Sequence, residues 1–434
     1  MIVELSSTND KFTYIIYKNP NNELGGFIGR DLKKGKLLGF FKDGKFISYF
    51  QDSPDETSYS DDKYNYLYHE SHSSPRVVLD IFSEFYSHLL KDKTIEHDID
   101  GFENVLFIPS LKIRNSKFIK YLTYNNDHTK ISLNETGGGI FEFRITTSKS
   151  IKYLINIVSV VLLLEIVSED KNFYIEDNIA LKYLRLLKNV DPVPYTLFYY
   201  FKNKLFNSTR SFKKNKDIID SINILDGNTV VNIENNVYGF NHELRKSFVK
   251  EHITGDYNIL DMGCGEGQYI KLLYKTVKDS DKKYVAVDID KKHCDRLSSR
   301  YNESEVLSVI NSDLLSFIEN HDMQTAVGEC QVILTEVIEH NFEDYNINVL
   351  KYLLEEECVK RIIITTPNKD FNKFYFEDES LMRHDDHVFE YTRKEFKSFI
   401  ETLPCINNFN ILFIDIGDVI NGVSPTQAVI LERI

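Results

Sequence analysis

The chain has 434 residues, enough for two or three domains, and its 42% apolar and 27% charged residues are an ordinary globular balance. A net charge of −14 argues against a protein that coats nucleic acid by general charge neutralisation, but leaves room for a local basic patch that grips an end. Five cysteines without a C-x-x-C pair argue against a disulfide framework and a structural zinc module.

Met1-Ile2-Val3-Glu4 lacks the basic start and apolar core of a signal peptide. The best membrane candidate, residues 153–164, is shorter than the roughly 20 residues a span needs, so a buried helix and a cytoplasmic protein are expected. Residues 11–17 alternate like a strand. Residues 139–146 do so again, with Ile140, Glu142 and Arg144 opposing Phe141, Phe143 and Ile145. Between them, 78–90 has helical spacing and 52–74 is polar and turn-rich, a predicted loop. Ser148 or Ser150 is placed to cap the apolar helix ending near Val167, and further helices are predicted over 177–188 and 194–205. Residues 1–206 therefore read as an α+β domain.

Residues 207–235 read as a linker, in which the run from Arg210 to Lys216 is either a solvated connector or a basic strap over a nucleic-acid backbone. Residues 236–434 alternate strands and helices, with strands predicted at 258–262, 284–288, 306–310, 332–335, 361–365, 411–416 and 427–431. This is the pattern of a Rossmann-like, seven-stranded α/β domain. A loop with Gly417, Gly422 and Pro425 joins the last two strands, which predicts an antiparallel edge strand.

Two motifs carry chemistry. Asp261-Met262-Gly263-Cys264-Gly265-Glu266-Gly267 runs from a strand into a glycine turn and a helix. Such a turn lets a ligand approach the backbone, and the next strand ends in Asp288, placed to chelate ribose hydroxyls. An NAD-dependent dehydrogenase and an S-adenosylmethionine (AdoMet) methyltransferase both fit. Asp261 favours AdoMet, whose ammonium needs an anion, and Asp313 is placed near the adenine. After the fourth strand, Glu336, Glu339 and His340 stand at i, i+3 and i+4, one face of a helix. That spacing also suits a merely charged surface. Its place at the carboxyl end of a central strand, with His384 and His387 downstream, favours a catalytic O/N metal site for Mn²⁺, Mg²⁺, Fe²⁺ or Zn²⁺.

Glu336-x-x-Glu339-His340, Thr366-Pro367-Asn368 with Phe371-Asn372, Arg383-His384-x-Asp386-His387-x-Phe389-Glu390-Tyr391-Thr392-Arg393 and Ser424-Pro425-Thr426-Gln427 together resemble the Hua-enhancer (Hen) family. Its members are metal-dependent RNA 3′-terminal ribose 2′-O-methyltransferases. Tyr391 stands where the family usually has tryptophan, and Leu244 where it tends to have glutamine. The resemblance implies AdoMet, one divalent cation (Mn²⁺ or Mg²⁺), and metal ligands Glu336, Glu339, His340 and His387, with His384 outside the set. For that reaction Arg245, Asn368 and Asn372 are candidate contacts to the terminal nucleotide or its phosphate, His340 or Glu336 is the candidate base, and Phe389 and Tyr391 are either stacking or core rings. A weaker likeness at Glu4-Leu5-Ser6-Ser7-Thr8, Tyr17-Lys18-Asn19-Pro20 and Glu169-Asp170-Lys171-Asn172-Phe173-Tyr174 points to bacterial members that act in RNA repair beside a polynucleotide kinase–phosphatase–ligase. Protection of small-RNA 3′ ends, a metal-independent methyltransferase for small molecules or proteins, and a noncatalytic RNA-end or partner-binding module are the alternatives.

Overall fold

The computed structural model describes residues 1–21, 26–32, 35–52, 72–114, 119, 127–169, 177–190, 192–206, 208–226, 229–302, 304–376 and 381–434. They divide into two units, one of Met1–Asn232 with Phe374–Glu377, the other of Ile233–Lys373 with Asp378–Ile434. Most of the predicted loop at 52–74 and of the motif at 169–174 lies outside the described residues.

The first unit is built on a seven-stranded sheet in the order β2-β3-β4-β1-β5-β7-β6. The strands are β1 (Ile2–Ser7), β2 (Phe27–Leu32), β3 (Gly35–Lys42), β4 (Lys45–Asp52), β5 (Asn104–Lys112), β6 (Thr129–Gly137) and β7 (Ile140–Thr147). All six neighbouring pairs are antiparallel, and alternation sends Phe141, Phe143 and Ile145 of β7 into the core as predicted. Residues 11–17 do not form a strand. The Asn9 side chain accepts the Lys11 N–H at 2.8 Å, a helical turn α1 (Phe12–Ile15) follows, and Phe12, Ile15 and Ile16 are buried together at helical spacing.

Helix α2 (Pro75–Phe85) starts at a Ser74 cap, and the apolar run lies in α3 (Ile151–Glu169). Ser150 Oγ accepts the Tyr153 N–H at 3.1 Å, and Asp98 accepts the Ile151 and Lys152 N–H groups at 2.7 and 2.9 Å. Apolar almost all round, α3 is a buried core helix beside α2, α4 (Asp177–Lys188) and α5 (Tyr195–Leu205). No helix of the described residues is long and apolar enough to cross a membrane. The basic stretch is not an extended connector. It folds as α6 (Thr209–Lys214), capped by Ser208 with Phe212 buried, and α7 (Lys216–Asp220), and a short hairpin of β8 (Ile224–Asp226) and β9 (Thr229–Val231) follows.

The second unit opens with β10 (Ile233–Asn235) and α8 (Asn241–His252). Its seven-stranded sheet has the order β13-β12-β11-β14-β15-β18-β16. Strands β11 (Asn258–Met262), β12 (Tyr284–Asp288), β13 (Leu307–Asn311), β14 (Cys330–Thr335) and β15 (Val359–Pro367) pair in parallel. Helices α9 (Gln268–Asp279), α10 (Lys291–Arg300), α11 (Leu314–Asn320), the short α12 (Met323–Ala326) and α13 (Glu343–Glu355) occupy the connections, as a parallel sheet requires. Both faces are covered. Leu260, Met262, Val332, Leu334, Ile362 and Ile364 pack on one face, and Ile259, Ala286, Ile333 and Ile363 on the other.

After α14 (Arg393–Glu401), β16 (Phe409–Ile416) and a short β17 (Val419–Ile420), strand β18 (Thr426–Arg433) inserts between β15 and β16, antiparallel to both. The reversed strand is therefore one position inside the edge. β16 holds the edge itself, because the turn returns the chain into the gap beside β15.

Candidate active site

The ends of β11, β12, β14 and β15 meet at one edge of the sheet, the carboxyl edge where ligands bind in open α/β folds. Gly263, Gly265 and Gly267 all have positive φ, at 81°, 50° and 74°. They do different jobs. A Cβ on Gly267 would stand 2.5 Å from Leu297 of α10, and one on Gly263 would stand 2.6 Å from Val337, whereas beside Gly265 there is open space. The turn is braced by Asp288, whose Oδ2 accepts the Gly265 N–H at 2.7 Å while Oδ1 accepts that of Asp290 at 2.8 Å. Ile289, next to it, is 76% exposed and offers an apolar wall.

Asp261 lies under the turn, fully buried, with its Oδ2 accepting the Tyr284 O–H at 2.6 Å. Burial pushes its carboxyl up to about 7 despite that bond, and Asp288 adds to the rise. Asp313 caps α11, accepting the Ser316 N–H at 3.0 Å. Gly263→Ala is expected to destabilise the chain by about 2–4 kcal/mol, from positive φ and overpacking against Val337. Denaturant melts of the two proteins measure it.

Val337 connects this turn to the second motif. The α-helical face expected for Glu336, Glu339 and His340 does not form. β14 ends at Thr335, Glu336 takes φ 53°, and Ile338–His340 is a single 3₁₀ turn, with α13 beginning only at Glu343. The left-handed residue turns the chain across the strand ends, and its N–H donates to Thr365 O at 2.9 Å.

Glu339, His340 and His387 converge, with one ligand atom from each lying within 4.8 Å of the other two. Glu339 is completely buried. Its Oε2 accepts the Thr366 hydroxyl at 3.0 Å, while its Oε1 has no hydrogen-bond partner. Burial raises its pKa far above the carboxylate range, and the nearby Glu336 raises it further. A carboxyl group with one unpartnered oxygen, clustered with two imidazoles, fits a divalent cation of borderline hardness, which would stabilise its charged form. Glu336 is not in the cluster. Arg245 Nη1 stands 3.2 Å from its Oε2, and Thr365 Oγ1 donates to its Oε1 at 3.0 Å. Tyr269 of α9 lies among Thr335, Arg245, Asp261 and Glu336, its hydroxyl pushed up to about 12 mainly by burial.

The loop carrying His387 is sewn down. Val388 N–H donates to Glu339 O at 2.8 Å, and His387 Nδ1 donates to Glu390 Oε1 at 2.6 Å. His340 Nδ1 lies 3.4 Å from Asp386 Oδ2. His384, 74% exposed, pairs with Asp386 and is not part of the cluster. Asn372, expected to meet RNA, is enclosed. Its amide donates to Glu390 Oε2 at 2.6 Å and to Leu381 O at 3.2 Å, and its oxygen accepts Arg383 Nε–H at 2.8 Å. Arg245 is committed to Glu336. Asn368 keeps a buried Nδ2 without a partner while its Oδ1 accepts the Asp370 N–H. Tyr391 stacks on Phe399 at 5.1 Å and donates to Glu343 Oε2, so it is a core ring, and Phe389 packs edge-on to it. Tyr284, Thr365 and Tyr269 carry no motif signal in the sequence, whereas Thr366 and Glu390 stand within the motifs that carry the resemblance.

A braced glycine turn, an acid ending the next strand and a parallel sheet with one reversed strand define a methyltransferase-type fold, and residues 259–353 match a methyltransferase domain. Residues 2–223, just over half of the chain, match the Hen1 N-terminal domain, and the chain belongs to the Hen1 family. Over its whole length it is similar to a chain of the solved Pnkp1/Rnl/Hen1 RNA repair complex, with 26% identity, a TM-score of 0.73 and full coverage of both chains. A small RNA 2′-O-methyltransferase of Drosophila melanogaster is 27% identical over 151 residues, 32% of this chain and 38% of that protein. One of Arabidopsis thaliana is 27% identical over 199 residues, 40% of this chain and 20% of that protein. These matches span less than half the length of the curated relatives.

Proposed function

We propose that the chain methylates the 2′-hydroxyl of the 3′-terminal ribose of RNA, with AdoMet as donor and a divalent cation, Mn²⁺ or Mg²⁺, at Glu339, His340 and His387. The observation that carries this is the cluster of Glu339, His340 and His387, in which Glu339 Oε1 has no hydrogen-bond partner and Val337 stands beside the glycine turn. When bound, the cation supplies Lewis acidity that lowers the pKa of a ribose hydroxyl.

The protein's own groups do the rest. Gly265 leaves room for the cofactor, Gly263 and Gly267 shape the turn, Asp288 receives the ribose hydroxyls, Asp261 faces the ammonium and Asp313 flanks the adenine. Glu339 and His340 are held by the 3₁₀ turn and His387 by its loop. Glu336 is the fourth donor of the family pattern. Arg245 and Thr365 hold it outside the three-residue cluster. His340 or Glu336 takes the hydroxyl proton in this reading. Arg245 and the Nδ2 of Asn368 are the candidate contacts to the terminal nucleotide.

Only a terminal nucleotide has both vicinal hydroxyls free, which selects the 3′ end. The full-length likeness to a chain of an RNA repair complex supports repair over small-RNA protection, and a polynucleotide kinase–phosphatase–ligase as partner. The test is the full chain with AdoMet and Mn²⁺ on RNAs ending in 3′-OH, 3′-phosphate or 2′-deoxyribose. Methyl transfer to the first alone is expected, and transfer to all three or to none overturns the reading.

A further inference from the structure

We propose that Glu390 is a positioning residue, fixing the ring orientation and tautomer of His387, with Arg383 and Asn372 holding Glu390 in turn. The inference rests on the metal reading of Glu339, His340 and His387, and adds groups outside that donor set.

Three donors converge on the two oxygens of Glu390. His387 Nδ1–H reaches Oε1 at 2.6 Å, the Arg383 backbone N–H reaches the same oxygen at 2.8 Å, and Asn372 Nδ2–H reaches Oε2 at 2.6 Å. A proton on Nδ1, directed at a carboxylate, leaves the lone pair of the ring on Nε2. The carboxylate is required by its chemistry and not only by its volume. An amide at this position has one acceptor, so either of its two orientations sets an NH₂ group against a donor.

Glu390 is itself immobile. Its side chain is completely buried, and Arg383 ties the segments around it together. Arg383 Nε donates to Asn372 Oδ1 at 2.8 Å, Nη2 to Asn368 O at 2.6 Å, and Nη1 to Pro425 O. The loop with His387 is thereby fastened to the turn after β15 and to the start of β18. A cluster that merely fastened a loop would accept any group that keeps it folded. A cluster that sets a tautomer would not.

The test uses the full chain, titrated calorimetrically with Mn²⁺ in the absence of AdoMet and RNA, and melted without metal. Glu390→Gln is expected to weaken Mn²⁺ binding about 10–100-fold, the usual loss when the outer partner of a ligating histidine is removed. Adding Asn372→Asp to that variant places an acceptor opposite the new amide and recovers part of the affinity. Tyr391→Phe, a neighbouring change in the core, leaves affinity as in the wild type. Should Glu390→Gln not fold, Glu390→Asp, with the carboxylate withdrawn by one methylene, is read in its place and is expected to bind more weakly than wild type. Wild-type affinity in the variant read overturns the proposal while leaving the metal site standing. Absence of Mn²⁺ binding by the wild type overturns the metal reading itself.

Discussion

Glu339→Gln is expected to raise the melting temperature of the metal-free chain while removing about 10³-fold of turnover. The two effects have one source. Glu339 is wholly enclosed, its Oε1 has no partner, and Glu336 lies close enough to repel its charge. A carboxyl group in that position opposes folding at neutral pH, and an amide of the same shape relieves it by about 1–3 kcal/mol. The amide keeps an oxygen for the Thr366 hydroxyl, so packing is retained. It offers no negative charge to a cation, and several kcal/mol of transition-state stabilisation go with it, about 10³-fold in rate. Thermal melts with and without Mn²⁺ separate the parts. Mn²⁺ is expected to stabilise the wild type and to leave Glu339→Gln unmoved. Turnover within tenfold of wild type would remove the metal from the mechanism.

Asp261→Asn is expected to change the pH dependence of stability and to weaken AdoMet binding. The carboxyl group is raised from 3.8 to about 7, chiefly by burial, so it binds its proton more tightly in the folded chain than in the unfolded one. That preference is fully present below about pH 4 and is lost as pH rises through about 7. Above that range the buried charge costs about 4 kcal/mol, and an asparagine avoids the cost. The variant, whose oxygen still accepts the Tyr284 hydroxyl, is thus expected to match wild type near pH 4 and to exceed it by up to about 4 kcal/mol at pH 8. Denaturant titrations at a series of pH values give the difference curve, in which the other titrating groups cancel. If Asp261 meets the ammonium as proposed, losing that charged partner lowers AdoMet affinity by about 1.5–3 kcal/mol, roughly 10–150-fold. A flat difference curve would show that Asp261 bears no buried charge.

The α/β half was largely legible in the sequence, because strands buried on both faces read as short apolar runs ended by glycine or acid. Residues 258–262 and 284–288 fold as strands with the bounds predicted for them. What misled was local pattern overruled by geometry. Residues 11–17 alternate like a strand, yet Asn9 opens a helical turn there. The i, i+3, i+4 spacing pointed to Glu339 and His340 through a helical face, whereas a left-handed Glu336 and a 3₁₀ turn bring them together, and Glu336 itself is drawn to Arg245. Asn372 and Arg383 show the limit most clearly. A polar side chain in a motif can contact substrate or hold a neighbour, and only the fold reveals that Asn372 faces Glu390. Long-range partners such as Tyr284 for Asp261 leave no mark in spacing, because strand register, not sequence distance, brings them together.

The insertion of β18 between β15 and β16 sets an order of assembly. Both neighbours precede β18 in the chain, so a nascent polypeptide that has emerged as far as β16 still has β15 with an unpaired edge. Closing that edge also delivers Pro425 O to Arg383 and Asn368, and Gln427 Nε2 to Tyr391 O at 2.9 Å. Every side chain proposed to face the cofactor or the cation is synthesised before this happens, and the Arg383 and Tyr391 contacts to residues 425–427 form only when it does. A chain interrupted before β18 would carry all the proposed ligands and lack the contacts that tie Arg383 and Tyr391 to residues 425–427.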